Sequence, residues 1–213
     1  VTHMGIGAHQ DDLEIMAFHG IRLCYEDPGQ WFGGVVCTSG TGSARNGKYA
    51  QYSNDEMRLV RRIEQDKAAS IGKYSFVAQL DYPSSEVKQP GGGQLEPELS
   101  TLLAATKPKV LYTHNPADKH ETHVGTLAAV LDAVGQLPVE DRPETVYGCE
   151  VWRDLDWMLN EDKVVLDVHD KDHLSERLIA VFDSQIEGGK RYDLATLGRR
   201  YAHATYFQSH QTD

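Results

Sequence analysis

Two short stretches of the chain are dense in groups that bind metals or move protons. The first reads AHQDDLE and offers His9, Asp11, Asp12 and Glu14. The second reads HNPADKHETH and offers His114, Asp118, His120 and His123. Zinc takes imidazole nitrogen and carboxylate oxygen, and its catalytic sites commonly use three protein ligands and keep a position for water. His9 and Asp12 are three residues apart on a tight turn. His120 and His123, in a helix, lie on one face a turn apart. The HETH spacing is i,i+3, not the i,i+4 of the HExxH zinc peptidases. Each group also has a plainer role. An aspartate at this position ordinarily caps the helix that follows, and a lone histidine is usually a surface or core residue. Capping explains neither His9 nor two adjacent acids.

Gly5-Ile6-Gly7 opens like a GxGxxG dinucleotide fingerprint. The third glycine should fall at position 10, which is Gln10. Two carboxylates at the helix start would also repel a pyrophosphate that needs the positive helix end. Dinucleotide binding is rejected on both grounds.

The elements that must position these groups alternate in type. Thr2–Ala8, Phe32–Cys37, Tyr74–Leu80 and Val110–Thr113 read as strands. Leu13–Cys24 has apolar residues at helical spacing. Ser53 and Glu56 form a capping-box signal for a helix running to about Ile71, with Gly72 as its stop. Leu95–Thr106 and a segment from His120 to about Val134 are further helices. Beyond them the pattern predicts strands near Val146–Trp152 and Val164–Val168, a helix near Leu174–Phe182, and a partly helical tail, Leu194–Tyr206. Strand–helix alternation implies βαβ units, a mainly parallel sheet and helices on both faces. In such sheets ligands bind beyond the carboxyl ends of the strands, and both polar stretches follow predicted strands.

Length and composition suit one α/β domain spanning residues 1–213, with 40% hydrophobic and 25% charged residues. Thirty-two acids against 21 bases leave a net charge of -11. That balance disfavours nucleic acid and an anionic membrane surface as partners. No apolar run approaches a membrane span of roughly 18 residues, and no basic-then-apolar leader precedes the first strand. Cys24, Cys37 and Cys149 are few, odd in number and widely spaced. The expectation is buried thiols in a reducing, cytoplasmic setting.

AHQDDLE resembles the AHPDD-E signature of the PIG-L/LmbE-like zinc-dependent N-acetylglucosaminyl deacetylases, with Gln10 where that family usually has proline. HETH followed by Val124-Gly125-Thr126 resembles its second motif. Arg61-x-x-Glu64 with Ala68 and Ile71-Gly72 resembles its R-x-x-E helix, and Asp183-Ser184-Gln185 its later SQ element. The resemblance implies a Rossmann-like fold and removal of an N-acyl group, usually acetyl, from an amino sugar. It implies His9, Asp12 and His123 as ligands of Zn2+, or of another divalent ion such as Fe2+. Asp11 would be the base, and His120 the oxyanion donor that also serves the leaving amine. Relatives of this kind often assemble as homo-oligomers. Two further readings stay open: a zinc amidase on another amide, and an idle sugar-binding relative.

Several residues are weaker candidates. Glu14 and Asp118 either orient the ligand imidazoles or act as surface and capping groups. Arg61 either reaches substrate or pairs with Glu64 along its helix, the plainer alternative. Arg45 and Asn46, in the Gly-rich loop after the second strand, are candidates for the pocket lining. Trp152, Trp157 and Tyr82 are candidates to stack on a sugar ring. The segment Asp81–Gln94 is long enough for a lid.

Overall fold

The computed structural model describes residues 1–89, 91 and 93–211. Its first half runs β1 (His3–Gly7), α1 (Asp12–Met16), α2 (Phe18–Cys24), β2 (Phe32–Thr38), α3 (Asn54–Ile71), β3 (Phe76–Tyr82) and α4 (Ser84–Val87). The second half runs α5 (Leu95–Thr106), β4 (Val110–His114), α6 (Glu121–Gln136), β5 (Thr145–Cys149), α7 (Asp172–Ile179), α8 (Asp183–Gln185) and α9 (Tyr192–Gln211). The strands form one sheet of order β3-β2-β1-β4-β5, and every pairing is parallel. Among the described residues no helix is long and apolar enough to cross a membrane.

Alternation along the strands divides the core between the two faces of the sheet. Met4 and Ile6 of β1, Val35 and Cys37 of β2 and Leu111 of β4 pack against α5 and α6 through Leu95, Leu99, Leu103, Ala129, Val130 and Ala133. Phe32, Val36 and Tyr112 face the other way, onto Leu13, Phe18, Ile21, Ala68, Leu174 and Leu178. The Gly5-Ile6-Gly7 run has a packing function. A Cβ on Gly5 would lie 2.9 Å from Leu13 Cδ2, and one on Gly7 2.9 Å from Asp12 Cβ. Bare strand backbone at these two positions lets α1 sit directly on β1. Cys24, Cys37 and Cys149 are free and buried.

The capping box forms: Ser53 Oγ accepts from Glu56 N, and Ser53 N donates to the Glu56 carboxylate. Three expectations are corrected. The helix read across Leu13–Cys24 breaks at Ala17, whose φ/ψ of -105/15 leaves the helical region. Its apolar residues all stay in one core cluster, so the hydrophobic period survives a break in hydrogen bonding. Val164–Val168 is not a strand. From Val165 the segment alternates, with Leu166 and Val168 packed against the core and Val165 and Asp167 exposed, but it has no partner ladder. Asp81–Gln94 is not one open loop: β3 extends to Tyr82, α4 follows, and Val87 is buried.

Candidate active site

Chain order along the sheet reverses between β1 and β4, the switch point at which ligands bind in open parallel sheets. The two polar stretches leave the sheet side by side there, from Gly7 and His114. Ala8 N donates to His114 Nε2 at 2.9 Å, tying the two exits together. The β1 loop closes on itself, with His9 N donating to Asp12 Oδ2 at 2.7 Å. Asp11 holds a φ of +94, in the region where non-glycine residues are strained. The second loop is folded by its own side chains. Asn115 Oδ1 accepts from Ala117 N, and Asp118 Oδ1 accepts from His120 N at the start of α6.

Three atoms from these loops converge. His9 Nδ1 lies 3.2 Å from His123 Nε2 and 3.3 Å from Asp12 Oδ2, and His123 Nε2 lies 3.5 Å from Asp12 Oδ2. Zinc bonds of about 2.0–2.1 Å in tetrahedral geometry give ligand–ligand edges of about 3.3–3.4 Å. The triangle therefore fits a single small divalent ion, and its donors, two imidazoles and a carboxylate, suit zinc or iron. His123 is buried with its Nδ1 3.1 Å from Asp118 Oδ2, which leaves Nε2 for the triangle. Asp118 is fixed by a second donor, Trp152 N, at 3.1 Å. His120 and His114 border the same cluster. His114 Nε2 lies 3.4 Å from Asp12 Oδ2, but its lone pair already accepts the Ala8 N–H.

Electrostatics separates the two neighbouring aspartates. Burial opposes ionisation of Asp12, but His123 and His114 outweigh it and hold the carboxyl well below the usual range. Burial raises Asp11 to about 6, against the pull of the Arg61 guanidinium. Arg61 Nη2 sits 3.0 Å from Asp11 Oδ2 and also donates to the Gln10 carbonyl. Asp11 thus has an oxygen on a cation and lies outside the triangle of close contacts. Burial, reinforced by His123 and His9, lowers His120 to about 4. Its Nδ1 accepts from Thr122 N at 3.3 Å, so the neutral ring carries its proton on Nε2.

A cavity of about 480 Å³ opens over these groups and is lined by His9, Asp11, Asp12 and His120. Of the weaker candidates, Asp118 holds His123, Arg61 and Trp152 line the cavity, and the others fall elsewhere. Glu14 touches neither His9 nor His123. It is wholly buried on the far side of α1, accepting from Tyr74 OH at 2.7 Å and Gln65 Nε2 at 2.8 Å. Arg61 forms its ion pair with Glu64, 3.1 Å, and is 1% exposed. Its remaining bonds go to Asp11, Gln10 and Ser184, so it supports the floor of the cavity. Arg45 binds Thr41 O and Asn54, and Asn46 binds Gly188 O. They brace the Gly-rich loop, which lines the cavity through Gly40, Gly42 and Ser43 instead. Gln10 binds Thr38 O at 3.0 Å and Gln79, a side-chain tether where the family pattern has a proline ring. Trp152 lines the cavity; Trp157 is exposed, and Tyr82 bonds Glu98. Lys190, Tyr192 and Arg199, which the sequence did not single out, line the cavity as well. No motif marks them, and they reach it only through the fold of the C-terminal third.

Residues 4–134 match the family model of the GlcNAc-PI de-N-acetylases, PIG-L. The chain belongs to that family. No curated protein matches it in sequence. Among solved structures it is similar to a conserved protein of Thermus thermophilus, at 17% identity and a TM-score of 0.75, over 97% of this chain and 90% of that one. It is also similar to N,N'-diacetylchitobiose deacetylase from Pyrococcus horikoshii, at 19% identity and a TM-score of 0.71, covering 92% and 75% of the two chains. A third neighbour is GalB, the 4-carboxy-2-hydroxymuconate hydratase of Pseudomonas putida, at 18% identity and a TM-score of 0.69, covering 93% and 86%. At these identities the likeness establishes the shared fold, and the fold serves more than one reaction.

Proposed function

We propose that this protein is a zinc-dependent hydrolase that removes an N-acyl group, acetyl in the first instance, from an amino sugar or its conjugate. The observation that carries this reading is the triangle of His9 Nδ1, Asp12 Oδ2 and His123 Nε2 with an acid, Asp11, left outside it. Family membership supports the reaction class, and the deacetylase among the structural neighbours is consistent with it.

In this reading His9, Asp12 and His123 hold the ion. When bound, zinc lowers the pKa of a water from about 15.7 to roughly 7 and polarises a carbonyl. Asp11 takes a proton from the attacking water, its second carboxylate oxygen being free of Arg61. A carboxyl raised to about 6 is a stronger base than an ordinary aspartate and still ionised at neutral pH. His120 donates a hydrogen bond through its Nε2–H to the carbonyl oxygen as negative charge develops there, keeping its proton. The carbon–nitrogen bond then breaks, and Asp11 returns its proton to the departing nitrogen; His120, lowered to about 4, carries no spare proton for the amine and keeps only the oxyanion role. Asp118 keeps the His123 ring oriented throughout.

The test is acetate release from N-acetylglucosamine derivatives together with metal content by elemental analysis. Asp11→Asn is expected to keep its metal and lose about 10²–10⁴-fold in turnover. His123→Ala is expected to lose the metal. Asp11→Asn working at near parental rate refutes the assignment of the base. Zinc-supplemented wild-type protein without bound ion refutes the hydrolase reading.

A further inference from the structure

The cavity is lined by groups of both charges. The acids Asp11 and Asp12 line its floor. Part of its wall comes from beyond residue 134, where the family match stops. There Lys190 ends a wide turn, Ile186–Lys190, that bends at Gly189 with φ 82. Its ammonium lies 5.4 Å from the Trp152 ring centre and 5.5 Å from that of Tyr192, two rings that meet edge to face at 5.8 Å. Arg199, one turn from Thr196 on α9, spends one donor on Val151 O at 2.7 Å. Guanidinium carries five donors, so most remain for the cavity.

Neither cation has a carboxylate within 4.0 Å among the described residues. Arg191, next in the chain, is fully paired with Asp193 at 2.8 Å. Acids outnumber bases by 32 to 21, so partners are plentiful on this surface. Two cations free of close ion pairs in the wall of one cavity leave charged donors available to an anionic group.

We propose that Lys190 and Arg199, backed by Trp152 and Tyr192, form a subsite for an anionic group on the substrate, a carboxylate or a phosphate. The inference rests on the N-acyl hydrolase reading and narrows it: the amino sugar is an acid or a phosphate ester. Charge-assisted hydrogen bonds to such a group supply orientation as well as affinity, and arginine can grip it with two parallel donors.

The experiment compares N-acetylglucosamine with N-acetylglucosamine 6-phosphate and N-acetylmuramic acid, following acetate release. Wild-type protein is expected to favour one or both anions by about tenfold in kcat/KM, the equivalent of one charge-assisted contact. The preference is carried by KM and shrinks between about 50 and 500 mM salt. Which anion is preferred decides between phosphate and carboxylate. Lys190→Met and Arg199→Met lower the ratio of anionic to neutral substrate, and Lys190→Glu inverts it. Among the described residues Lys190 bonds no backbone group, so its variants keep the test valid even where Arg199→Met misfolds. Equal kcat/KM for neutral and anionic sugars, or ratios untouched in the Lys190 variants, overturns the subsite. Should no sugar be turned over, calorimetry with glucosamine and glucosamine 6-phosphate decides it separately. Tighter binding of the phosphate to wild type than to Lys190→Glu keeps the subsite while the hydrolase reading falls; equal binding overturns it.

Discussion

Glu14 lies on the same short helix as Asp12 but serves stability in a pH-dependent way. It is 0% exposed, and burial raises its carboxyl from 4.5 to about 7 despite the hydrogen bonds from Tyr74 and Gln65. A carboxyl whose folded pKa exceeds its unfolded one binds a proton more tightly in the native state. It costs the fold nothing below pH 4.5 and progressively more as pH rises to 7. The full cost is 7 - 4.5 = 2.5 pKa units, or about 3 kcal/mol. Of that, about 2 kcal/mol develops between pH 5.5 and 8. Glu14→Gln removes the titration and keeps an acceptor for Tyr74 and Gln65. Its stability relative to wild type is expected to improve by about 2 kcal/mol across that interval. Urea unfolding of metal-free protein at several pH values measures the difference directly. Metal-free protein is the right material because ion binding is itself pH-dependent. Wild-type and Glu14→Gln stabilities that run parallel from pH 5.5 to 8 would refute a buried, protonated Glu14.

Three other perturbations address the supports of the site. Arg61→Met strands Asp11 and Glu64 without their shared cation, and is expected to cost about 3–5 kcal/mol in urea unfolding; a loss under 1 kcal/mol would mean that both acids find other partners. Asp118→Asn is expected to weaken zinc binding about 10–100-fold in competition with a chromophoric chelator, and an unchanged affinity would contradict its hold on His123. At Gly125, where α6 crosses the end of α4, an added Cβ would run into the backbone oxygen of Val87. Gly125→Ala is therefore expected to destabilise by about 1–3 kcal/mol, read as a lowered Tm.

Much of the architecture could be read from local pattern, because strand alternation and helical apolar spacing are properties of neighbours in the chain. The five parallel strands, the capping box at Ser53 and the buried thiols follow from such patterns. So does the location of the two polar loops at strand ends. The break at Ala17 could not be read, since the residues on either side keep the same buried face. Nor could the failure of Val164–Val168 to pair, since alternation announces an extended chain but not a neighbouring strand.

The same division runs through the candidate site. The sequence by itself supplied the groups: two histidines and two acids with spacings suited to a metal, and a resemblance carried by those motifs. Only the tertiary structure decided which atoms meet. His9 and His123 are 114 residues apart, and Arg61 reaches Asp11 across 50. Glu14, two residues from Asp12, points away to Tyr74, whereas Lys190, far along the chain, faces the cavity. Spacing along a helix or turn fixes which side chains share a face. What that face touches depends on sheet order and on the path of the last third of the chain, where the contacts are long-range and no local motif encodes them.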